Sequence, residues 1–126
     1  PGKVPEIWRR IADRDGLINS NYGWCFYSGE NYYQRNRVIA ALTRDSSTRQ
    51  AIAIYNRPSM HDDAFENGRS DFICTNAHQF IIRNDMLHLV VQMRSNDVVF
   101  GFRNDLAWAM HCQEEVLTAL NEERPD

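Results

Sequence analysis

The spacing of apolar positions changes period several times along the chain, and each change marks an element. From Pro5 to Asp13, Ile7, Trp8 and Ile11 fall on one side of a short helix that Gly16 stops. Residues 18–26 run from polar to aromatic and predict a loop entering a strand around Tyr22–Tyr27. Asn31 is a candidate N-cap for a helix through Leu42, with Tyr32, Arg35, Val38, Ile39 and Leu42 at helical spacing. Between Gln50 and Tyr55, Ile52 and Ile54 alternate as in a strand. Asn56 to Ser70 holds Pro58, Asn67, Gly68 and several acids, and predicts a long loop of the kind that often carries function.

Ile73–Ile82 and Met86–Met93 read as two strands about the turn Arg83-Asn84-Asp85, an antiparallel hairpin. Asn96–Phe102 is a connection with a flexible Gly101. Asn104 then caps a helix through about Leu120, whose buried stripe is Leu106, Ala109, Cys112, Val116 and Leu120. The polar tail Asn121–Asp126 is expected to fray. There is no internal repeat and no low-complexity segment. The pattern predicts an α/β (α+β) protein with a mostly antiparallel sheet.

Length limits this to one domain at most, spanning residues 1–126, and 43% hydrophobic residues suffice for one core. A net charge of −3 argues against general nucleic-acid binding, so no direct nucleic-acid contact is expected. The basic residues cluster locally instead, at Arg35/Arg37, Arg44/Arg49 and Arg94/Arg103, which suits a small anionic ligand. No apolar run is long enough to span a bilayer, and Pro1-Gly2-Lys3-Val4-Pro5 does not read as a signal peptide. Three cysteines without CxxC spacing argue against a disulfide framework or a zinc site and suggest a cytoplasmic setting.

Three features carry candidate chemistry. Cys74 follows a polar loop at the start of a strand, where a thiol can face a cleft and a nearby Arg94 would favour the thiolate; it is equally a small buried hydrophobe. Arg94-Ser95 places a guanidinium fork beside a hydroxyl, a pair suited to a phosphate, with Arg49 as a second fork; a surface ion pair is the alternative. Asp105 lies in the first turn of a helix, where the dipole favours its charge. A carboxylate accepts hydrogen bonds and donates none, so Asp105 would welcome cytosine's exocyclic amine and reject the O4 of uracil; it is also an ordinary first-turn acid. His61-Asp62-Asp63 lacks a second histidine at ligand spacing and reads as a solvated loop. His78, His88 and His111 read as core or surface residues. Trp8, Trp24, Tyr32, Tyr33 and Trp108 read as core rather than as a ligand platform.

Four segments together resemble the thymidylate synthase superfamily: Ile18-Asn19-Ser20-Asn21-Tyr22-Gly23-Trp24, Ile54-Tyr55-Asn56-Arg57-Pro58-Ser59-Met60, Ser70-Asp71-Phe72-Ile73-Cys74-Thr75-Asn76, and Met93 through Asp105. The match is nearest to its cytosine branch, the deoxycytidylate (dCMP) hydroxymethylases of T-even phages. The resemblance implies a thymidylate synthase-like fold and a homodimer acting on a pyrimidine nucleotide monophosphate. It implies that Cys74 adds to C6 of the base and that C5 takes a one-carbon unit from 5,10-methylenetetrahydrofolate, with no metal. It assigns Arg94 and Ser95 to the phosphate and Arg49 to the partner's phosphate. Tyr22 would line the cavity near the reacting carbon, and Asp97 would lie where the folate approaches.

Asp105, four residues past Gly101, stands where thymidylate synthases carry an asparagine, which points to dCMP over dUMP. Its carboxyl could also share a proton with N3 and so help Cys74 attack. A thymidylate synthase acting on dUMP, and a catalytically incomplete fragment that only dimerises, are the alternatives. Gln50 stands where the family usually has a second arginine, and Thr75 where thymidylate synthases have a histidine. The family's upstream glutamate and its sugar-gripping His-x-Tyr have no match, so the chain is expected to be the central part of a longer enzyme, truncated at both ends.

Overall fold

The computed structural model describes residues 3, 5–66 and 68–123. The helices are α1 (Glu6–Ile11), α2 (Tyr22–Tyr27), α3 (Gln34–Arg44), α4 (Ser59–Glu66) and α5 (Phe102–Glu123). The strands are β1 (Ile52–Ile54), β2 (Thr75–Arg83) and β3 (Met86–Met93), in one antiparallel sheet of order β1-β2-β3. The mixed α/β architecture with an antiparallel sheet is the one expected. Residues 124–126 of the expected frayed tail lie outside the described residues; Asn121–Glu123 continue α5.

One face of the sheet makes the core. Ala53, His78 and Phe80 are buried there against Val38, Ile39 and Leu42 of α3 and Cys112, Val116 and Leu120 of α5. Those helix residues recur at three- and four-residue intervals, so each helix buries one stripe. The other sheet face keeps Ile52, Ile54 and Val90 exposed. Asn84 and Asp85 both adopt positive φ (52° and 57°), the backbone of a two-residue turn that matches strand twist.

Four expectations need correction. The run Tyr22–Tyr27 is helix, not strand: the Asn21 side chain accepts from the Trp24 N–H (3.0 Å), and Cys25 and Phe26 turn into the core. Tertiary burial thus overrides the strand preference of aromatic residues. The predicted loop 56–70 contains α4, anchored by the fully buried Met60. Asn31 does not cap α3; it closes a 3-10 turn, its Nδ2 donating to the Cys25 carbonyl (2.8 Å), and α3 begins after Tyr33. Nor does Asn104 cap α5, which starts two residues earlier and leaves Leu106 exposed.

Candidate active site

Three matched segments meet because two side chains staple them. The Asp71 carboxylate accepts the backbone N–H groups of Asn19 (2.9 Å) and Ser20, and Asn19 Nδ2 donates to the Asp71 carbonyl (3.2 Å). The segment that opens α2 is thereby tied to the segment that leads into β2. Arg94 does the same from the end of β3. Its Nε donates to the Ile73 carbonyl (2.9 Å), its Nη2 to the Phe72 carbonyl (2.6 Å), and its backbone N–H to the Cys74 carbonyl (2.9 Å).

Cys74 sits inside this frame. Arg94 Nη2 lies 3.8 Å from its Sγ. Cys25 and Cys112 are fully buried, and burial pushes their thiols up to about 11 and about 12. Cys74 alone of the three is partly exposed. A β-bulge two residues further on aims its neighbour Thr75. Thr75 pairs with Met93 and Ala77 with Gln92, so Asn76 is the extra residue. The slip turns Thr75 into the buried side, where its Oγ1 donates to the Tyr22 hydroxyl (3.2 Å).

Tyr22 and Asp105 complete the cluster. Burial raises the Tyr22 phenol, and the charges of Asp105 and Cys74 push it the same way while the Thr75 bond opposes them. Both groups therefore lie within electrostatic reach of the Tyr22 hydroxyl. Burial also raises the Asp105 carboxyl. Asp105 Oδ2 leans over Gly101: a Cβ there would sit 3.3 Å from it and 3.6 Å from the Asp97 carbonyl. The backbone turn into α5 needs that close approach. Asp97 organises it, its Oδ1 accepting from Val99 (2.8 Å) and Phe100 (2.9 Å), its carbonyl from Gly101 and Phe102. Asp97 thus closes the turn that leads into α5, and Asn104 lies inside the helix it was expected to cap.

Ser95 is exposed, next to Arg94 in the chain. Arg49 is not gathered with the rest. Its carbonyl accepts from Gln79 Nε2 (2.8 Å), five residues along β2 from Cys74, or roughly 17 Å at strand rise. His61 lies on α4 with its ring against Phe72 (5.2 Å) rather than in a loop. Among the described residues no group of three His, Cys, Asp or Glu side chains converges as a metal site. No described helix is long and apolar enough to cross a membrane.

Aromatic residues read as core from sequence divide in two. Trp24 and Trp108 pack against the core, whereas Trp8, Tyr32 and Tyr33 are exposed. Trp8 stands at one side of an open cavity of about 720 Å³ that Asp13, Ser20, Asn21 and Tyr22 also line. The sequence carried no signal for it: Ile7, Trp8 and Ile11 fall on one side of a helix as core residues would, yet α1 buries none of its residues.

Comparison with known proteins bears on the family and the fold. No protein-family model matches the chain. The chain is 48% identical over 121 residues to the deoxycytidylate 5-hydroxymethyltransferases of Enterobacteria phages T4 and T2, covering 96% of this chain and 49% of those proteins. It is 32% identical over 76 residues to a putative thymidylate synthase of Methanocaldococcus jannaschii, covering 60% of this chain and 34% of that protein. The fold matches thermostable thymidylate synthase A from Bacillus subtilis with a TM-score of 0.68 at 22% identity, over 91% of this chain and 42% of that one. The chain thus spans about half the length of the curated phage relatives it matches. With its sequence relatives and its fold in agreement, the chain belongs to the thymidylate synthase superfamily.

Proposed function

We propose that this chain carries the nucleophilic centre of a one-carbon transferase that converts dCMP to 5-hydroxymethyl-dCMP. The observation that carries the reading is the partly exposed Cys74 with Arg94 Nη2 at 3.8 Å, the Thr75–Tyr22 bond next to it in the chain, and a carboxyl, Asp105, within electrostatic reach of Tyr22. The thiolate of Cys74 adds to C6 of the pyrimidine, and the electron pair of the C5–C6 double bond moves toward C5. Asp105 accepts the exocyclic N4–H₂ of cytosine and shares a proton with N3, a role that its raised pKa supports. Methylenetetrahydrofolate supplies a carbon at the oxidation level of formaldehyde. C5 bonds to that carbon and loses its hydrogen as a proton; tetrahydrofolate leaves from the new exocyclic carbon, water adds there as the hydroxyl, and Cys74 leaves C6 as thiolate.

The cavity lined by Trp8 and Tyr22 would take the flat ring of such a donor: Trp8 is partly exposed there, and Tyr22 is hydrogen-bonded to Thr75, the neighbour of Cys74. Asp97 borders Gly101 on the same side as Asp105, which is consistent with a role near the donor. Arg94 keeps its Nη1 outside the bonds to residues 72–74, and with Ser95 it is available to the nucleotide phosphate. The reading also includes a homodimer. Ile52, Ile54 and Val90 form an exposed apolar sheet face, and Arg49 stands at its border, remote from its own Cys74, where a facing copy could receive it. Such a protein would work in the cytoplasm, the host's if a phage encodes it.

The decisive experiment is release of tritium from C5 of labelled dCMP. Release that disappears in Cys74→Ser supports the reading, and release from dUMP in preference to dCMP overturns its choice of base. Sedimentation of the protein as a monomer would remove the Arg49 role.

A second reading is favoured by the outer side of α5. Phe102, Leu106, Met110 and Leu117 are all exposed there, a stripe of apolar side chains at helical spacing that none of the described residues buries. In this reading residues 1–126 form one folded unit that turns nothing over until further polypeptide covers α5. Release of tritium by the isolated chain at the rate of a full-length enzyme would exclude it.

A further inference from the structure

Beneath the candidate site lies a buried polar chain that the reaction itself does not use. Trp108 Nε1 donates to the Tyr55 hydroxyl (2.9 Å), and that hydroxyl faces His78 Nδ1 (3.2 Å) and Cys112 Sγ (3.7 Å). The direction of these bonds follows from the inventory of donors. An indole nitrogen only donates, so the Tyr55 oxygen accepts from Trp108, and its single proton goes to one of its two other neighbours, His78 Nδ1 or Cys112 Sγ. Burial holds His78 down at about 4, which keeps it neutral and able to accept that proton at Nδ1. Tyr55 and His78 are each about 1% exposed, so the chain is shielded from water and geometrically fixed.

Trp108 connects this fixed chain to both sides of the site. It lies three residues after Asp105, one turn along the same side of α5. Its ring meets Tyr22 edge-on at 6.2 Å (interplanar angle 65°), and Tyr55 packs on Tyr22 as well, at 5.5 Å. Phe26 and Tyr27 of α2 also meet the indole edge-on, at 6.1 and 6.3 Å. We infer that Trp108 is a positioning residue: anchored through its N–H to Tyr55, it fixes the separation between the Tyr22 hydroxyl on α2 and the Asp105 carboxylate on α5. The catalytic meaning of that separation rests on the function proposed above; the geometry does not.

The test therefore needs no substrate. In protein labelled with ¹³C at tyrosine Cζ, the Tyr22 resonance is assigned with Tyr22→Phe and its ionisation is followed by pH titration. Asp105→Asn removes a neighbouring negative charge and so lowers the Tyr22 pKa. In a Trp108→Phe background, which keeps a ring but loses the N–H anchor, the shift caused by Asp105→Asn is expected to fall by at least half. Tyr55→Phe, which removes only the acceptor, gives the same loss and serves if Trp108→Phe does not fold. An Asp105→Asn shift of unchanged size in a folded Trp108→Phe or Tyr55→Phe protein overturns the inference. A protein that shows the coupling yet releases no tritium from dCMP would retain the positioning role and lose the proposed reaction.

Discussion

Arg94 grips Cys74 at both ends of the residue: its backbone N–H bonds the Cys74 carbonyl at 2.9 Å, and its Nη2 stands 3.8 Å from the Sγ. The same guanidinium bonds the carbonyls of Phe72 and Ile73, so its charge is held by the loop whose thiol it faces. Arg94→Ala leaves those two carbonyls without their donor. The side chain is solvent-exposed, so we expect a loss of about 1–2 kcal/mol, read as a lower urea midpoint. Cys74→Ser keeps these bonds and is expected to leave the midpoint within about 0.5 kcal/mol.

Thiol accessibility gives a second expectation. Cys25 and Cys112 have no exposed surface, whereas Cys74 is partly open. Native protein treated briefly with iodoacetamide should take up one label, at Cys74, and the urea-unfolded protein three. Early labelling of Cys25 or Cys112 in the native protein would contradict this packing.

Asp71 holds the α2 segment to the Cys74 segment through two backbone N–H groups of Asn19 and Ser20. Asp71→Ala leaves both donors without their acceptor and is expected to cost about 2 kcal/mol. It should also loosen the Tyr22–Thr75 bond, so Tyr22 amide exchange should quicken more than that of Val116 in the core. Equal acceleration at both would assign Asp71 a purely global role.

Asp105→Asn tests the choice of base. An amide can turn to meet uracil's O4 and N3–H, where a carboxylate can only accept. The ratio of dUMP to dCMP in tritium release should rise by about 10- to 100-fold, the range expected for one hydrogen-bonded base contact. An unchanged ratio would move the discrimination elsewhere in the protein.

Some of these relationships were legible in the residues alone and some were not. The β2–β3 hairpin was, because Ile73–Met93 alternates about a turn whose Asn84 and Asp85 tolerate left-handed backbone. Cys74, Arg94 and Asp105 were legible as candidates from their chain positions. Their spatial grouping depends on Asp71 and Arg94 bonding backbone atoms, which leaves no periodic trace. The α2 helix was hidden because Tyr, Trp, Phe, Cys and Gly, which make up all six of its residues, are weak helix formers. Pro58-Ser59 followed by Asp62 and Asp63 did carry an N-terminal helix signal for α4, which Gly68 and the acids masked. The Asn76 bulge, which aims Thr75 at Tyr22, follows from register and not from composition.

His78 makes stability depend on pH. Burial holds its imidazole at about 4 in the fold, against an ordinary 6.5. Above pH 6.5 it is neutral in both folded and unfolded chains, and its contribution is complete. Between pH 6.5 and 4 the unfolded chain takes up a proton that the fold excludes, so stability declines as pH falls. Below about 4 the fold is protonated too and the decline from this group ends. The full loss is about 3 kcal/mol. Other groups titrate in the same window, so the comparison is with His78→Gln, whose side-chain oxygen can still accept the Tyr55 proton but does not titrate. Urea unfolding of both proteins at pH 7 and pH 4.5 should show the wild-type losing more stability than the variant by about 2–3 kcal/mol. Parallel losses would mean that His78 charges inside the fold, and that Tyr55 donates its proton to Cys112 instead.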